Sequence, residues 1–75
     1  MRFFFDYIKK DESLFDYRGD EFRTPQSAIE FAQATAQYLQ DSLSGDWLGW
    51  CVEVRDAVGF KLGSVPVGAA GAIAV

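Results

Sequence analysis

The residues in this chain that could do chemistry are carboxylates close to the N-terminus. Asp6 stands in an aromatic segment, and Asp16, Asp20 and Glu21 surround Gly19. Paired carboxylates can act as a general acid and base, or bind Mg²⁺ or Ca²⁺. The spacing of these acids does not match the twelve-residue calcium loop. We therefore interpret them as turn and edge residues in contact with water, and we predict no metal site.

Nucleophilic catalysis lacks its usual partner, because the chain has no histidine. This excludes Ser-His-Asp triads, Cys-His pairs and His-ligated metal sites. No serine stands in a G-x-S-x-G segment, and the glycines form neither common phosphate-binding pattern. We predict that the protein is not an enzyme and holds no cofactor. The remaining enzyme alternative is acid chemistry around Asp16, Asp20 and Glu21, which would need a concave pocket there.

Composition limits the partners and the compartment. The chain has 75 residues, a net charge of −4 and scattered cations, which disfavours nonspecific binding to nucleic-acid phosphates. Cys51 is the only cysteine, and a lone thiol is typical of the reducing cytoplasm. The longest apolar stretch, residues 65–75, is too short to span a bilayer. We predict a cytoplasmic domain that makes no membrane contact.

The N-terminal part of the chain predicts a hairpin. Residues 2–8 favour a strand because Phe, Tyr and Ile suit a half-buried pleated surface. Residues 14–17 form a second short apolar segment after the polar residues 9–13, and residues 18–20 predict a turn.

A helix follows this hairpin. Thr24 is suited to the N-cap and Pro25 to the first helical position. The helix is predicted to run to about Leu43, with Gly45 as a left-handed C-cap. Its apolar stripe consists of Ala28, Ile29, Ala32, Ala36, Leu39 and Leu43.

The C-terminal part predicts a second hairpin. Residues 50–55 alternate apolar and polar, residues 56–59 form an Asp-x-x-Gly turn, and residues 60–65 return as a strand that Pro66 ends. The order β-β-α-β-β predicts an α+β fold, a two-layer sandwich in which one helix packs on one face of a four-stranded, mostly antiparallel sheet. Residues 1–66 would form a single domain, and residues 67–75 an apolar tail rich in Gly and Ala.

The first strand raises a question about its second face. Alternation predicts that Phe3, Phe5 and Tyr7 face the helix, which leaves Phe4 on the other face. An exposed apolar cluster there would be unusual on a monomer. The segment Trp-Leu-Gly-Trp at 47–50 could form a binding surface, or Trp50 could pack under the helix while Trp47 covers the helix end. The candidate interaction surface consists of Arg2, Phe4, Ile8 and Trp47.

The function that these features favour is a non-catalytic protein-interaction module. It would self-associate, as a homodimer, through its second sheet face or a sheet edge. The alternative is a small regulatory domain that stacks single-stranded nucleic acid on its rings. That alternative needs free cations at Arg2, Arg18, Arg55 and Lys61.

The order of the motifs resembles a family of small bacterial domains of unknown function. Such domains open with an R-[YF]-F-F-[DH] strand and continue with a Gly- and Asp-containing turn and an acidic-aromatic pair. An Ala-rich helix and a V-x-V-x-D-x-x-G hairpin follow, and a last strand ends near a proline. The matching segments here are residues 2–6, 19–22, the helix from Pro25, residues 52–59 and residues 62–66. The resemblance implies a stand-alone cytoplasmic domain, and it carries over no activity and no site residues.

Overall fold

The computed structural model describes residues 1–42 and 46–68, in which one helix packs on one face of a sheet. The elements are β1 (Arg2–Lys9), β2 (Glu12–Leu14), β3 (Asp20–Glu21), α1 (Pro25–Gln40), β4 (Cys51–Asp56) and β5 (Lys61–Pro66). The strands are antiparallel in the order β2-β1-β4-β5, and β3 also pairs with β1. The predicted α+β sandwich is confirmed, with β3 as a strand that the sequence did not indicate.

The outer edge of β1 is shared between two short strands. One edge of β1 pairs with β4 from Phe3 to Ile8. On the other edge, β2 pairs with residues 7–9 of β1 and β3 pairs with residues 2–3. Residues 15–19, which we call the connecting loop, join β2 to β3 and pass the middle of β1. Asp20, predicted as part of a turn, already belongs to β3.

The first hairpin differs from its prediction. A strand over residues 14–17 after a five-residue link is wrong, because β2 pairs Glu12 with Lys9 across a two-residue turn and ends at Leu14. The physical reason lies at Asp16. Its side chain, not its backbone, accepts the Phe5 N–H at 3.1 Å, so the ladder between backbones cannot continue.

The start of α1 is as predicted, but only the three alanines of its predicted stripe are buried, since Ile29 and Leu39 are half-buried. The Thr24 hydroxyl accepts the Ser27 N–H at 3.1 Å as the N-cap, and Pro25 opens the helix. The buried positions of α1 are small side chains, which lets the helix lie close to β4 and β5: Ala28, Ala32 and Ala36.

The end of the helix differs from the prediction. The helix ends at Gln40 with Asp41 as its C-cap, and Leu43 and Gly45, the predicted end and C-cap, lie outside the described residues. In the described ranges, no helix has the length and the apolar character needed to cross a membrane.

The second hairpin is confirmed. The Asp56 carboxylate accepts the N–H of Val58 at 3.0 Å and of Phe60 at 2.8 Å, and Gly59 adopts a φ of +94°. Beyond Pro66, Val67 is still buried and donates its N–H to the Trp50 carbonyl at 2.8 Å. The core therefore includes the first residue of the predicted tail, whose residues 69–75 lie outside the described part of the chain.

The core lies between α1 and the face of the sheet that we call the helix side. Its strand residues are Phe3 and Phe5 of β1, Val52 and Val54 of β4, and Val65 of β5, all buried. Tyr7 packs against this core, so the predicted orientation of β1 is confirmed. The opposite face of the sheet is called the second face below.

The close approach of α1 to the sheet predicts a difference between two alanines. Ala32 is 0 % exposed, so Ala32→Leu forces extra carbons into a packed layer and should lower the free energy of unfolding by about 1–3 kcal/mol. Ala34→Leu on the exposed side of the same helix should change it by no more than about 0.5 kcal/mol. Urea denaturation of the two variants measures the difference, and equal losses would contradict the packing described here.

Candidate functional site

The four residues of the predicted interaction surface do not lie together. Arg2, Phe4 and Ile8 lie on the second face, because they alternate along β1 with the buried Phe3 and Phe5. Trp47 lies on the helix side instead. Its ring centroid is 5.5 Å from that of Tyr7 and 5.4 Å from that of Trp50. Trp50 is buried, as the second interpretation of the Trp-Leu-Gly-Trp segment requires, whereas Trp47 packs at the edge of the core against Tyr7 and Trp50.

Phe4 is covered by residues of its own chain. Arg55 stands directly opposite Phe4 in β4, and its guanidinium carbon lies 4.6 Å from the centre of the ring. A cation over an aromatic face is stabilised by the ring quadrupole, by about 0.5–1 kcal/mol at exposed sites. The connecting loop covers the ring from another side, since a Cβ on Gly19 would lie 2.9 Å from Phe4 Cε2. Phe4 is thus half-buried within its own chain, without any partner protein.

Beside Phe4, Arg55 also forms a buried ion pair. Its Nε lies 2.7 Å from Oδ2 of Asp6, a residue that is only 4 % exposed. The other oxygen of Asp6 accepts the Asp16 N–H at 2.9 Å, and Arg55 Nη2 donates to the Asp16 carbonyl at 2.8 Å. Each polar atom of the pair named here has a partner, as a buried charge requires.

Asp16 ties the connecting loop to the middle of β1. One carboxylate oxygen accepts the Phe5 N–H at 3.1 Å, and the other accepts the N–H groups of Arg18 at 3.0 Å and Gly19 at 3.1 Å. Partial burial alone would raise the pKa of Asp16. The hydrogen bonds from Gly19, Phe5 and Arg18, together with the charge of Arg55, outweigh it and hold that pKa below its ordinary value.

We call these three residues the Asp6–Asp16–Arg55 network. The interpretation of Asp6 as an acid in contact with water is wrong, and that of Asp16 is incomplete, because three backbone N–H groups surround its carboxylate. The available signal was a carboxylate within an aromatic strand, on the face that alternation assigns to Arg2 and Phe4. Its partner Arg55 is 49 residues away in sequence, so the pairing could not be read locally.

The concave pocket that the enzyme alternative requires is present. A concavity of about 580 Å³ is lined by Asp16, Asp20 and Glu21 together with Arg2, Arg18 and Gly19. Its acids are largely engaged, however. Asp16 has its lowered pKa and accepts backbone N–H groups, and Glu21 holds the Arg2 guanidinium at 3.1 Å. Among the described residues, no group of three or more Cys, Asp or Glu side chains is arranged to hold a metal ion.

The cations that the nucleic-acid alternative needs are mostly paired with carboxylates. Arg2 pairs with Glu21, Arg55 with Asp6, and Lys61 with Glu53 at 3.1 Å. Binding of phosphates at these positions would have to break ion pairs within the domain.

A groove opens on the helix side, beside α1. The helix lies mainly over β4 and β5, so it leaves part of β1 and β2 uncovered. The groove has a volume of about 570 Å³. It is lined by Phe5, Tyr7, Leu14, Phe15, Asp16, Asp20, Phe31, Thr35 and Trp47. We call this feature the helix-side groove.

The walls of the helix-side groove expose large apolar side chains. Leu14 is 51 % exposed, Phe15 53 % and Phe31 44 %. On the floor, burial and the negative charge of Asp16 raise the pKa of Tyr7, so its hydroxyl stays protonated and able to donate a hydrogen bond. The sequence did not single out this groove. Its only signal was that Phe31 lies beside the buried stripe of the helix, not on it.

The contact between Gly19 and β1 predicts that alanine at Gly19 costs more stability than alanine at Gly59. Gly19 and Gly59 both have positive φ, +70° and +94°, so alanine at either position is strained by about 1–2 kcal/mol. Only at Gly19 would the new Cβ also meet fixed backbone, the Phe3 carbonyl at 2.8 Å, whereas nothing lies within 4 Å at Gly59. Gly19→Ala should therefore lower the free energy of unfolding by at least about 1 kcal/mol more than Gly59→Ala. Equal losses in urea denaturation would show that the loop does not lie against β1.

The lowered pKa of Asp16 predicts a pH dependence of stability. Because its pKa is lower in the folded than in the unfolded chain, the ionised carboxylate stabilises the fold fully above 3.8 and loses this effect as pH falls through the folded value. Asp16→Asn should therefore be less stable than the natural chain near neutral pH, and the gap should narrow below pH 3.8. Chemical denaturation across this range measures it, with Asp11→Asn in the exposed β1–β2 turn as the control. A gap that stays constant with pH would contradict the role of the carboxylate charge.

Comparison with known proteins places the chain in a family. Residues 2–68 match the model of a family described as a domain of unknown function (DUF6894). No curated protein and no solved structure gives a match. The matched range includes every strand and the helix described above. The chain belongs to this family of domains of unknown function.

Proposed function

We propose that this domain is a non-catalytic protein-interaction module that holds an apolar segment of another protein in the helix-side groove. The observation that carries the proposal is the exposure of Leu14, Phe15 and Phe31 around one open groove. Large apolar side chains that cluster on the surface of a soluble protein often mark an interaction site. Neighbouring apolar walls of this kind are typical of grooves that take a helix or an extended peptide.

The dimensions of the groove suit a few side chains of a partner. Its volume of about 570 Å³ lies within the roughly 300–1,000 Å³ that is usual for binding sites. The floor is formed by Phe5 and Tyr7 of a central strand, and one wall by Phe31 and Thr35 of α1. These rigid elements keep the groove open without a partner, so little ordering is needed when a segment binds.

Self-association through the second face or a sheet edge, which the sequence favours, stays a prediction with less support. On the second face, ion pairs join Asp6 to Arg55 and Glu53 to Lys61. The opposite edge of the sheet is formed by β5, which ends in Pro66, a residue with no N–H to donate. The register between β5 and β4 also shifts at Val54 and Arg55. Proline and irregular register are features that discourage pairing of edge strands.

The non-catalytic part of the proposal is supported by the state of the acids. The Asp6–Asp16–Arg55 network uses its carboxylates to hold the loop, and the lowered pKa of Asp16 leaves it no proton to donate near neutral pH. A protein partner is favoured over single-stranded nucleic acid because three of the four cations that the latter needs form ion pairs. We propose a cytoplasmic location on the free thiol of Cys51 alone.

A selection from a displayed random peptide library tests the groove. We expect the selected peptides to bind the natural chain and to bind Phe15→Ser at least about tenfold more weakly, because the ring contributes to the apolar wall. Phe60→Ser is the matched control and should bind normally, since Phe60 is 65 % exposed but lies in the β4–β5 hairpin, away from the groove. Affinity can be followed by the intrinsic tryptophan fluorescence, to which Trp47 in the groove contributes. Failure to select any peptide, or equal binding by both variants, would overturn the proposal.

A further inference from the structure

We infer that the segment held in the helix-side groove is basic as well as apolar, with a Lys or Arg next to its apolar anchor. This inference rests on the proposed function and names the chemistry of the partner at the same site. It follows from the distribution of charge around the groove.

The groove carries two carboxylates and no cation. Asp16 and Asp20 are among its lining residues, and no Lys or Arg is. Asp20 stands opposite Phe3 in the β3–β1 pairing, so its side chain extends on the helix side, at the groove's edge. It is exposed, and no ion pair or hydrogen bond within the described ranges engages its carboxylate. Asp20 is therefore open to a charge supplied by a partner.

The second carboxylate also keeps its charge. Asp16 is held ionised by backbone N–H groups, which do not neutralise it. The charge of Arg55 lowers the pKa of Asp16, but the guanidinium forms its ion pair with Asp6 and donates its hydrogen bond only to the backbone carbonyl of Asp16. With a net charge of −4 on the whole chain, the groove attracts cations and repels anions over a Debye length, about 8 Å at physiological salt.

Apolar and charged contacts would have separate tasks in such a complex. The rings supply most of the affinity, because burial of large apolar side chains dominates binding. An exposed ion pair contributes little affinity, but complementary charge directs association and rejects partners of the wrong sign. The charge of the groove should therefore decide which partners bind, while it adds little to the affinity of those that do.

Two other occupants fit the charges less well. A second copy packed groove to groove would bring the same carboxylates towards Asp16 and Asp20, and like charges would then face one another. Residues 69–75 of the same chain have apolar side chains but no Lys or Arg, so they would leave both carboxylates without a counter-charge. A partner with an apolar anchor beside a cation satisfies the rings and the carboxylates together.

The test is the composition of the peptides selected by two forms of the full chain. With the natural chain we expect Lys and Arg to be enriched next to an apolar anchor. With Asp20→Lys we expect this enrichment to disappear, and basic peptides selected by the natural chain should bind the variant between about twofold and tenfold more weakly. Asp11→Lys makes the same change of charge in the exposed β1–β2 turn and is the control, for which the enrichment should persist.

Several results would overturn the inference. One is the selection of neutral or acidic peptides that still depend on Phe15, which would leave the proposed function standing but remove the basic partner. Another is a homodimer in sedimentation that Phe15→Ser dissociates, which would identify a second copy as the occupant. A third is tighter peptide binding by Ile73→Asp, which would show that residues 69–75 compete for the groove. Peptides that do not depend on Phe15 at all would instead contradict the proposed function itself.

Discussion

A single carboxylate takes the place of a strand beside the middle of β1. The outer edge of β1 is divided between β2 and β3, and the Phe5 N–H between them has no strand to pair with. The Asp16 side chain accepts this N–H and also holds the backbone of Arg18 and Gly19. A buried N–H without a partner costs roughly 1–3 kcal/mol. The connecting loop is therefore bound to β1, and with it the wall of the helix-side groove that Phe15 and Asp16 form.

The same network makes the two faces of the sheet different. On the second face, Arg55 neutralises Asp6 and lies over Phe4, so the aromatic run near the N-terminus is covered within the domain. Removal of Arg55 would leave a carboxylate buried without its counter-charge, which is strongly unfavourable. On the helix side, α1 is displaced towards β4 and β5 and leaves rings beside β1 in contact with water. The Asp6–Arg55 ion pair is thus on one face and the open apolar groove on the other.

The sequence predicts the features that depend on neighbouring residues. The Thr24 cap, the alanine stripe of α1 and the turn that ends at Gly59 each arise from residues within one or two turns of chain. Alternation also gives the correct orientation of Phe3 and Phe5, because a strand has a period of two.

Features that depend on distant residues could not be predicted in this way. Asp6 meets Arg55 across 49 positions, and Asp16 meets Phe5 across 11. The early end of β2 and the existence of β3 both follow from these contacts, since the carboxylate of Asp16 interrupts the ladder between them. The groove depends on where α1 lies across the sheet, and the pattern of a helix shows which of its faces is buried but not which strands lie below that face.

The exchange rate of the Phe5 amide proton tests the central claim most directly, because no strand covers that N–H and only the Asp16 carboxylate protects it. Native-state hydrogen exchange followed by NMR can measure it beside the other amides of β1. We expect exchange as slow as that of the neighbouring Phe4 and Asp6 amides in the natural chain, and much faster exchange at Phe5 alone in Asp16→Ala. Rapid exchange of the Phe5 amide in the natural chain would contradict the account, because it would show that Asp16 does not hold the connecting loop to the sheet.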